Sequence, residues 1–298
     1  METKVCFFVN EKSNSSRAGF IIRESEAQIL GAFPEAEFWY ISDLDEFDTK
    51  AEQASKKFDV IVACGGDGTI LSVANYVYKE EKLLAIIPLG SGNDFAKSIH
   101  LPSKKPISFY INFIKRGITL DVDFPTANGE HFLNIVGIGF DGQTNEYAQQ
   151  FKWKMGGLKY TLAGIKSICL AKPFHATISF DHTKVSEQFW MIALANGRVE
   201  GGAFEISPSS DNSDGRVELV LIRNYNRIKL IIVFLKLSLG IKIVPKYREI
   251  IPVKEAEITF KSPQYVHIDG EIKKRFQHCF LKVGSQKITV IIPDKNNS

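Results

Sequence analysis

The sequence predicts an α/β plus β fold in two domains. The first is an N-terminal α/β domain on a parallel sheet, the second a C-terminal, mostly antiparallel β domain. Two observations predict this. Between residues 1 and 116, apolar strand-like runs alternate with helical stretches, the pattern of a parallel sheet covered by helices. After Gly117 strand-like alternation dominates, and turn signals such as Asn128-Gly129 and Asp214-Gly215 separate the runs. The domains are therefore placed at 1–117 and 118–298, with the last segment free to pack back on the first.

The elements follow in order. Val5-Cys6-Phe7-Phe8-Val9 reads as a strand, Gly19 to Leu30 has helical periodicity, Glu37 to Ile41 is a second strand and Thr49 to Lys57 a second helix. Val60 to Cys64 and Leu83 to Ile87 are buried-type strands, each followed by a glycine-rich turn and a helix. Ile107 to Arg116 closes the first domain as an amphipathic helix. In the second domain, strands are expected over Ile118–Phe124, His131–Ile138, Ala176–Phe180, Gln188–Ala195, Arg216–Ile222, Ala256–Phe260 and Lys287–Ile292. Helical inserts are expected over Trp153–Leu170 and Ile228–Leu239, and Asp294 to Ser298 reads as a disordered tail.

The two glycine turns carry the chemistry. Gly65-Gly66-Asp67-Gly68-Thr69 offers backbone freed for positive φ, no Cβ to block a ligand, and amides that can converge on an anion. The helix that starts there adds unpaired N–H groups and a positive dipole end. Asp67 would repel a bare phosphate, so it is expected to face Mg²⁺ or a hydroxyl; the alternative is a helix cap. The second turn, Gly90-Ser91-Gly92-Asn93-Asp94, would lie on the same edge of a parallel sheet, where such folds bind ligands. Two domains also leave a cleft, a preferred place for a ligand.

These two turns, with Phe95-Ala96 completing the second, resemble the diacylglycerol kinase catalytic domain family. That family includes bacterial soluble lipid kinases and the sphingosine and ceramide kinases. The resemblance implies a nucleotide-binding α/β domain, a β-sandwich domain and an active site in the cleft between them. It implies ATP as cosubstrate and Mg²⁺ as cofactor. The nucleotide-contacting set is then Asn10, Ser42, Gly65, Gly66, Asp67, Gly68, Thr69, Ser91 and Asn93. The family's usual Asn-Pro-x-Ser-Gly loop reads Asn10-Glu11-Lys12-Ser13-Asn14 here, so its Pro and Gly are gone and the loop is loosened.

Phosphoryl transfer needs phosphate positioning, a divalent metal and a proton acceptor. His267-Ile268-Asp269-Gly270-Glu271 puts two carboxylates at a tight glycine turn, which is otherwise an ordinary surface turn. The family carries Asp-Gly-Glu near its C-terminus. By that match Glu271 is the candidate proton acceptor, with Asp269 orienting water or metal or itself the base. Asp121 matches a family aspartate in the water and metal network, and Asp67 completes the catalytic set. Ser207 to Gly215 is dense in oxygen ligands. The resemblance there implies a structural Mg²⁺ held by Asp214 and the carbonyls of Asp211 and Arg216. Gly137-Ile138-Gly139-Phe140-Asp141-Gly142 satisfies a dinucleotide pattern but lies outside any βαβ unit, so it is rejected as such a site.

Of 298 residues, 44% are apolar and 24% charged, and the net charge of +3 excludes a strongly nucleic-acid-type surface. The four cysteines are scattered, with no metal or disulfide spacing, which fits a reducing compartment. No secretory pattern opens the chain, and a cytoplasmic location is expected. Lysines beside the two apolar inserts suggest peripheral contact with a membrane, against a simple core-packing role. The reading is a lipid kinase acting on diacylglycerol or a related lipid, with an NAD kinase or a non-catalytic lipid-binding protein as alternatives. The oligomeric state is left open, a homodimer included.

Overall fold

A computed structural model of the chain describes residues 3–139, 166–202, 204–239, 241, 243–244, 247–272 and 275–294. These divide into two compact units: Met1–Val122 with Gln286–Ser298, and Asp123–Ser285. The division falls after Val122, so the run expected as Ile118–Phe124 belongs mostly to the first unit. Expectations for Trp153 to 165, for Phe140-Asp141-Gly142 of the rejected dinucleotide pattern and for the tail 295–298 lie outside the described residues.

The first unit is built on strands β1 (Val5–Asn10), β2 (Glu37–Ile41), β3 (Val60–Gly65), β4 (Leu83–Pro88) and β5 (Thr119–Asp123). A sixth strand, Lys287–Ile291, comes from the end of the chain. The order is β2-β1-β3-β4, then the C-terminal strand, then β5. The pairs β1–β2, β1–β3, β3–β4 and β4 with the C-terminal strand are parallel. β1 and β3 are buried along nearly their whole length, which is why they read as unbroken apolar runs. Helices α1 (Ser13–Ala32), α2 (Phe47–Lys57), α3 (Asp67–Lys79), α4 (Asp94–Ser98) and α5 (Ile107–Arg116) connect them. The start of α1 is irregular: Asn14, Ser15 and Ser16 hold φ of 52°, 57° and 67°. Three non-glycine residues in left-handed backbone cost roughly 1–2 kcal/mol each. Periodicity therefore becomes legible only beyond them.

Among the described residues, the second unit holds an antiparallel network of eleven strands and a separate two-stranded pair. Those that matter most are β6 (Thr126–Ala127), β7 (Glu130–His131), β8 (Ile135–Gly139), β9 (Phe174–Phe180), β10 (Thr183–Ala195), β11 (Val199–Glu200), β12 (Phe204–Glu205), β13 (Val217–Arg223), β14 (Glu249–Val253), β15 (Glu255–Gln264), β16 (Val266–Ile268), β17 (Glu271–Ile272) and β18 (Phe276–Lys282); β11 and β12 pair apart from it. Alternate residues of β10 and β13 serve two cores, as a period of two requires. Ile192, Leu194, Leu219 and Leu221 join one core with Phe132, Ile178, Phe260 and Leu281. Met191, Ala193, Val220 and Ile222 face the other, which is covered by helix α6 (Arg227–Ser238) and by Ile168 and Ala171. The expected Ile228–Leu239 insert is therefore a helix. β14, whose Pro252 argues against a central strand, and β18 are strands that the pattern reading missed.

Candidate active site

The sheet order 2-1-3-4 places a topological switch at the carboxyl ends of β1 and β3, the point where open α/β sheets bind ligands. Asn10 ends β1 there, and its Nδ2 donates to Thr69 Oγ1 of α3 at 2.9 Å. Asn10 Oδ1 accepts the Lys12 amide at 3.0 Å, so one side chain ties the loop after β1 to the first turn of α3. Ser42, past the end of β2, is exposed at the same edge of the sheet.

Gly65, Gly66, Gly90 and Gly92 serve close approach, not positive φ. None of Gly65, Gly66, Gly68, Gly90 or Gly92 has left-handed backbone, which corrects the expectation for the first turn. A Cβ on Gly65 would fall 2.5 Å from Thr69 Oγ1, and one on Gly90 would fall 2.4 Å from the Gly66 α carbon. The two turns thus touch backbone to backbone. Gly68 alone among them is exposed, with nothing within 4 Å of an added Cβ.

Asp67 does not cap its own helix. Gly66, at the N-cap of α3, supplies no side-chain cap, while Asp67 Oδ1 accepts the Phe95 amide of α4 at 3.0 Å. Burial raises the Asp67 pKa above the usual aspartate value, with the amides of Phe95, Asp94 and Asn93 pulling the other way. The carboxylate that the sequence reading aimed at a metal or hydroxyl therefore has a demonstrable second task, holding the two turns together. The first-turn amides of α3 are left without a side-chain cap.

Asn93 serves the same end. It is buried with φ 55°, a conformation asparagine tolerates. Its Oδ1 accepts the Gly90 amide at 2.9 Å, and its Nδ2 donates to the Gly90 and Pro88 carbonyls at 3.0 and 3.4 Å. Asn93 thus shapes the loop from within, and Ser91 stands exposed at its tip. Lys97 Nζ donates to the Gly92 carbonyl at 2.7 Å and pairs with Asp94 at 3.4 Å. Asp94, which the sequence reading passed over, is 9% exposed; its Oδ2 and that of Asp67 would lie 3.5 and 3.1 Å from a Cβ on Gly92. Asp121 on β5 is exposed and accepts Thr289 Oγ1 of the C-terminal strand at 2.9 Å.

The second unit contains the Asp-Gly-Glu turn. Asp269 Oδ2 accepts the Leu133 amide at 2.7 Å, and Oδ1 accepts those of Asn134 and Ile135 at 2.9 and 2.8 Å. Its backbone is left-handed, φ 47°, as is that of Gly270, φ 82°. Glu271 follows on β17 with an exposed side chain. Behind the turn, fully buried His267 accepts the Gly270 amide on Nδ1 at 3.3 Å, and its Nε2 faces Glu200 Oε1 at 2.8 Å. With Nδ1 an acceptor, the hydrogen sits on Nε2. No sequence signal linked His267 to Glu200 or Asp269 to residues 133–135; the pairing of β16 with β8 carries Asp269 to residues 133–135, and Glu200 reaches His267 from the separate β11–β12 pair.

The acidic loop is ordered by its own groups. Asp214 Oδ1 accepts the Arg216 amide at 2.9 Å, and Asp211 Oδ1 accepts Ser213 N and Oγ at 3.1 and 2.6 Å. Gly215 donates to fully buried Asp123 at 2.7 Å. Burial raises the pKa of Asp214 first, then Asp211 and Asp123 raise it further. Glu218, 4% exposed, is raised by burial and then by Asp214 and Asp211, and its Oε2 is buried without a hydrogen-bond partner. This concentration of negative oxygens fits a hard cation. Among the described residues no three acidic, His or Cys side chains converge as a ligand set.

Comparison with known proteins finds two family matches along the chain. Residues 4–127 match the diacylglycerol kinase catalytic domain, and residues 134–291 match the YegS C-terminal NAD kinase β sandwich-like domain. A diacylglycerol kinase of Bacillus subtilis (strain 168) is 25% identical over 259 residues, 84% of this chain and 85% of that protein. A probable lipid kinase YegS-like protein of Stenotrophomonas maltophilia (strain K279a) is 30% identical over 193 residues, 62% of each chain. The fold is shared with a diacylglycerol kinase structure from Bacillus anthracis str. Sterne (TM-score 0.75, 21% identity, 98% of this chain and 97% of that one). It is shared less closely with an NAD kinase from Archaeoglobus fulgidus in complex with ATP (TM-score 0.53, 12% identity, 98% and 94%).

Proposed function

We propose that this chain, which belongs to the family in which a diacylglycerol kinase catalytic domain precedes a YegS-type β sandwich-like domain, transfers the γ-phosphate of ATP to the hydroxyl of a membrane lipid, diacylglycerol being the simplest such acceptor. The observation that carries the reading is the α3 start: a helix N-terminus free of any side-chain cap, at the switch point of a parallel sheet, beside a second glycine loop. The first-turn amides of α3 would bind phosphate oxygens, and the exposed Gly68 leaves room for them. Asp67 and Asn93 would keep both loops in shape for that contact. Ser42 and Asp121 are the weaker members of this set.

Proton removal from the lipid hydroxyl is assigned to Glu271. Asp269 spends its carboxylate on three amides, which supports a positioning role for it. A divalent cation bound with the nucleotide would neutralise charge on the transferring phosphoryl group. A second, structural Mg²⁺ would be held by Asp214 and the carbonyls of Asp211 and Arg216. Work at a membrane surface follows from the substrate. The test is incubation with γ-labelled ATP and a total lipid extract. A labelled phospholipid product is expected; label found only on NAD, or on nothing, would overturn the reading.

A further inference from the structure

Helix α6 has two apolar faces. Leu230 and Phe234 turn inward, into the core that holds Trp190, Ile206 and Ile222, and Val233 is buried on the same side of the helix. Ile228, Ile232, Leu235 and, just past the helix, Leu239 are 67, 48, 37 and 72% exposed. Their spacing of four, three and four residues puts them in one stripe, and at about 100° per residue that stripe lies opposite the buried face. Packing into a core explains the first face and leaves the second unexplained. Leu170, 58% exposed, lies near the first turn of α6, because Arg227 donates to the carbonyls of Cys169 and Ala171.

The segment that carries the stripe has charge of one sign. Lys229 and Lys236, seven residues apart, follow one flank of it. From Asn224 to Arg248 the sequence holds six basic residues (Arg227, Lys229, Lys236, Lys242, Lys246 and Arg248) and no acidic one. A two-fold pairing of this face with itself would set like charges against like. An anionic lipid surface complements them, since basic side chains beside an apolar face are drawn to such a surface. The helix is 12 residues, roughly 18 Å, too short to span a bilayer, and among the described residues no helix is long and apolar enough to do so.

We propose that the exposed stripe of α6 is the surface by which this protein lies on an anionic bilayer, with Ile228, Ile232, Leu235 and Leu239 entering the headgroup–acyl boundary and the lysine flank meeting the headgroups. This rests on the lipid-kinase reading for its biological sense and extends it by naming the docking element. The stripe's residues take no part in the phosphate turns or the Asp269–Glu271 turn.

The experiment is co-sedimentation of the full chain with vesicles of phosphatidylcholine alone and of phosphatidylcholine with phosphatidylglycerol, over a salt series and without ATP. Wild type is expected to bind the anionic vesicles, and less so as salt rises. Ile232→Glu with Leu235→Glu should lower the partition coefficient at least about tenfold at all salt concentrations, since two apolar anchors are lost. Lys229→Gln with Lys236→Gln should remove about tenfold or more of binding at low salt and little at high salt. Turnover of dispersed short-chain lipid should be unchanged in both. Stripe variants that sediment like wild type overturn the proposal. So does a wild-type dimer that the Glu pair makes monomeric while vesicle binding persists, which would assign the stripe to a second copy. Vesicle binding through the stripe by a protein that phosphorylates no lipid would instead defeat the kinase reading and leave the surface standing.

Discussion

Asp269 and Ile135 hold each other twice: the Asp269 amide donates to the Ile135 carbonyl at 2.9 Å, and Asp269 Oδ1 accepts the Ile135 amide at 2.8 Å. With Leu133 and Asn134 added, the carboxylate is an anion held by backbone dipoles, a geometry that favours its charged, acceptor-only state. A group so engaged is poorly placed to leave its partners and take a proton. Glu271, two residues on, has the exposure that the task needs.

Glu271→Gln is therefore expected to lower kcat by about 10²–10⁴, the range of general-base assistance, with little change in the KM for ATP. Asp269→Asn keeps the left-handed backbone that both residues tolerate but gives up charge-assisted bonds worth roughly 1.5–3 kcal/mol each before compensation. Its main effect should be a lowered Tm, with kcat falling less than in Glu271→Gln. Steady-state kinetics and thermal melting decide the matter. An active Glu271→Gln enzyme beside a folded, inactive Asp269→Asn enzyme would move the base to Asp269.

The glycine turns separate space for backbone from space for ligand. Gly90→Ala drives a Cβ into the Gly66 backbone and should cost about 1–3 kcal/mol of stability. Gly68→Ala meets nothing and lies in the first turn of α3, where alanine is worth up to about 1 kcal/mol over glycine. It should melt no lower than wild type yet raise the KM for ATP several-fold, because the methyl enters the volume assigned to phosphate. Unchanged ATP kinetics in Gly68→Ala would remove phosphate from that spot.

The acidic loop gives a metal-linked prediction. Asp214→Ala should lower Tm more in Mg²⁺ than in chelator, since a ligand that binds only the folded state stabilises it by mass action. Wild type should likewise melt higher with Mg²⁺ than with chelator, and Asp214→Ala should show little of that difference. Equal losses under both conditions would make Asp214 a turn residue bonded to the Arg216 amide and nothing more.

Thiol chemistry should single out one cysteine. Burial raises the pKa of Cys6 and Cys64 far above the usual thiol range and pushes Cys279 up to about 12, while Cys169 is exposed. A thiol that stays protonated is a poor nucleophile. Near neutral pH, an aromatic disulfide reagent should therefore label one thiol quickly in native protein and the other three only on unfolding. Cys169→Ser should abolish the fast phase. Fast labelling of Cys6 or Cys64 would show that the β1–β3 core opens readily.

The parallel sheet was legible because β1, β3 and β4 are apolar throughout and their turns are glycine-rich; such local signals survive without tertiary information. The second unit was legible only as a class. β14 carries a proline, and β18 alternates its buried Cys279 and Leu281 with exposed His278, Phe280 and Lys282, so apolar residues fall on both faces and neither strand stands out as a core strand. The site followed the same rule. Gly65–Thr69 and Asp269–Glu271 are contiguous and could be read directly. The roles of Asp67 and Asn93 in bracing the loops could not be, because Asp67 reaches Phe95 across 28 residues and Asn93 bonds atoms that any side chain might have bonded. His267 facing Glu200 is the extreme case: 67 residues apart, each is unremarkable alone.

The strand Lys287–Ile291 lies between β4 and β5, so β5 joins the first sheet only through it. During synthesis β1 to β4 emerge early, and the segment that completes their sheet follows only after the whole second unit. Until it arrives, β4 presents an open edge whose side chains are apolar and whose amides seek partners. The nascent chain must shelter that edge for the whole time the second unit takes to be made. A fragment ending at Val122 would keep the exposed edge permanently. Shortening the chain before Lys287 should therefore damage the glycine-turn unit, even though every residue of those turns is still present, and a fusion at the C-terminus is safe only if its linker begins beyond Ile291.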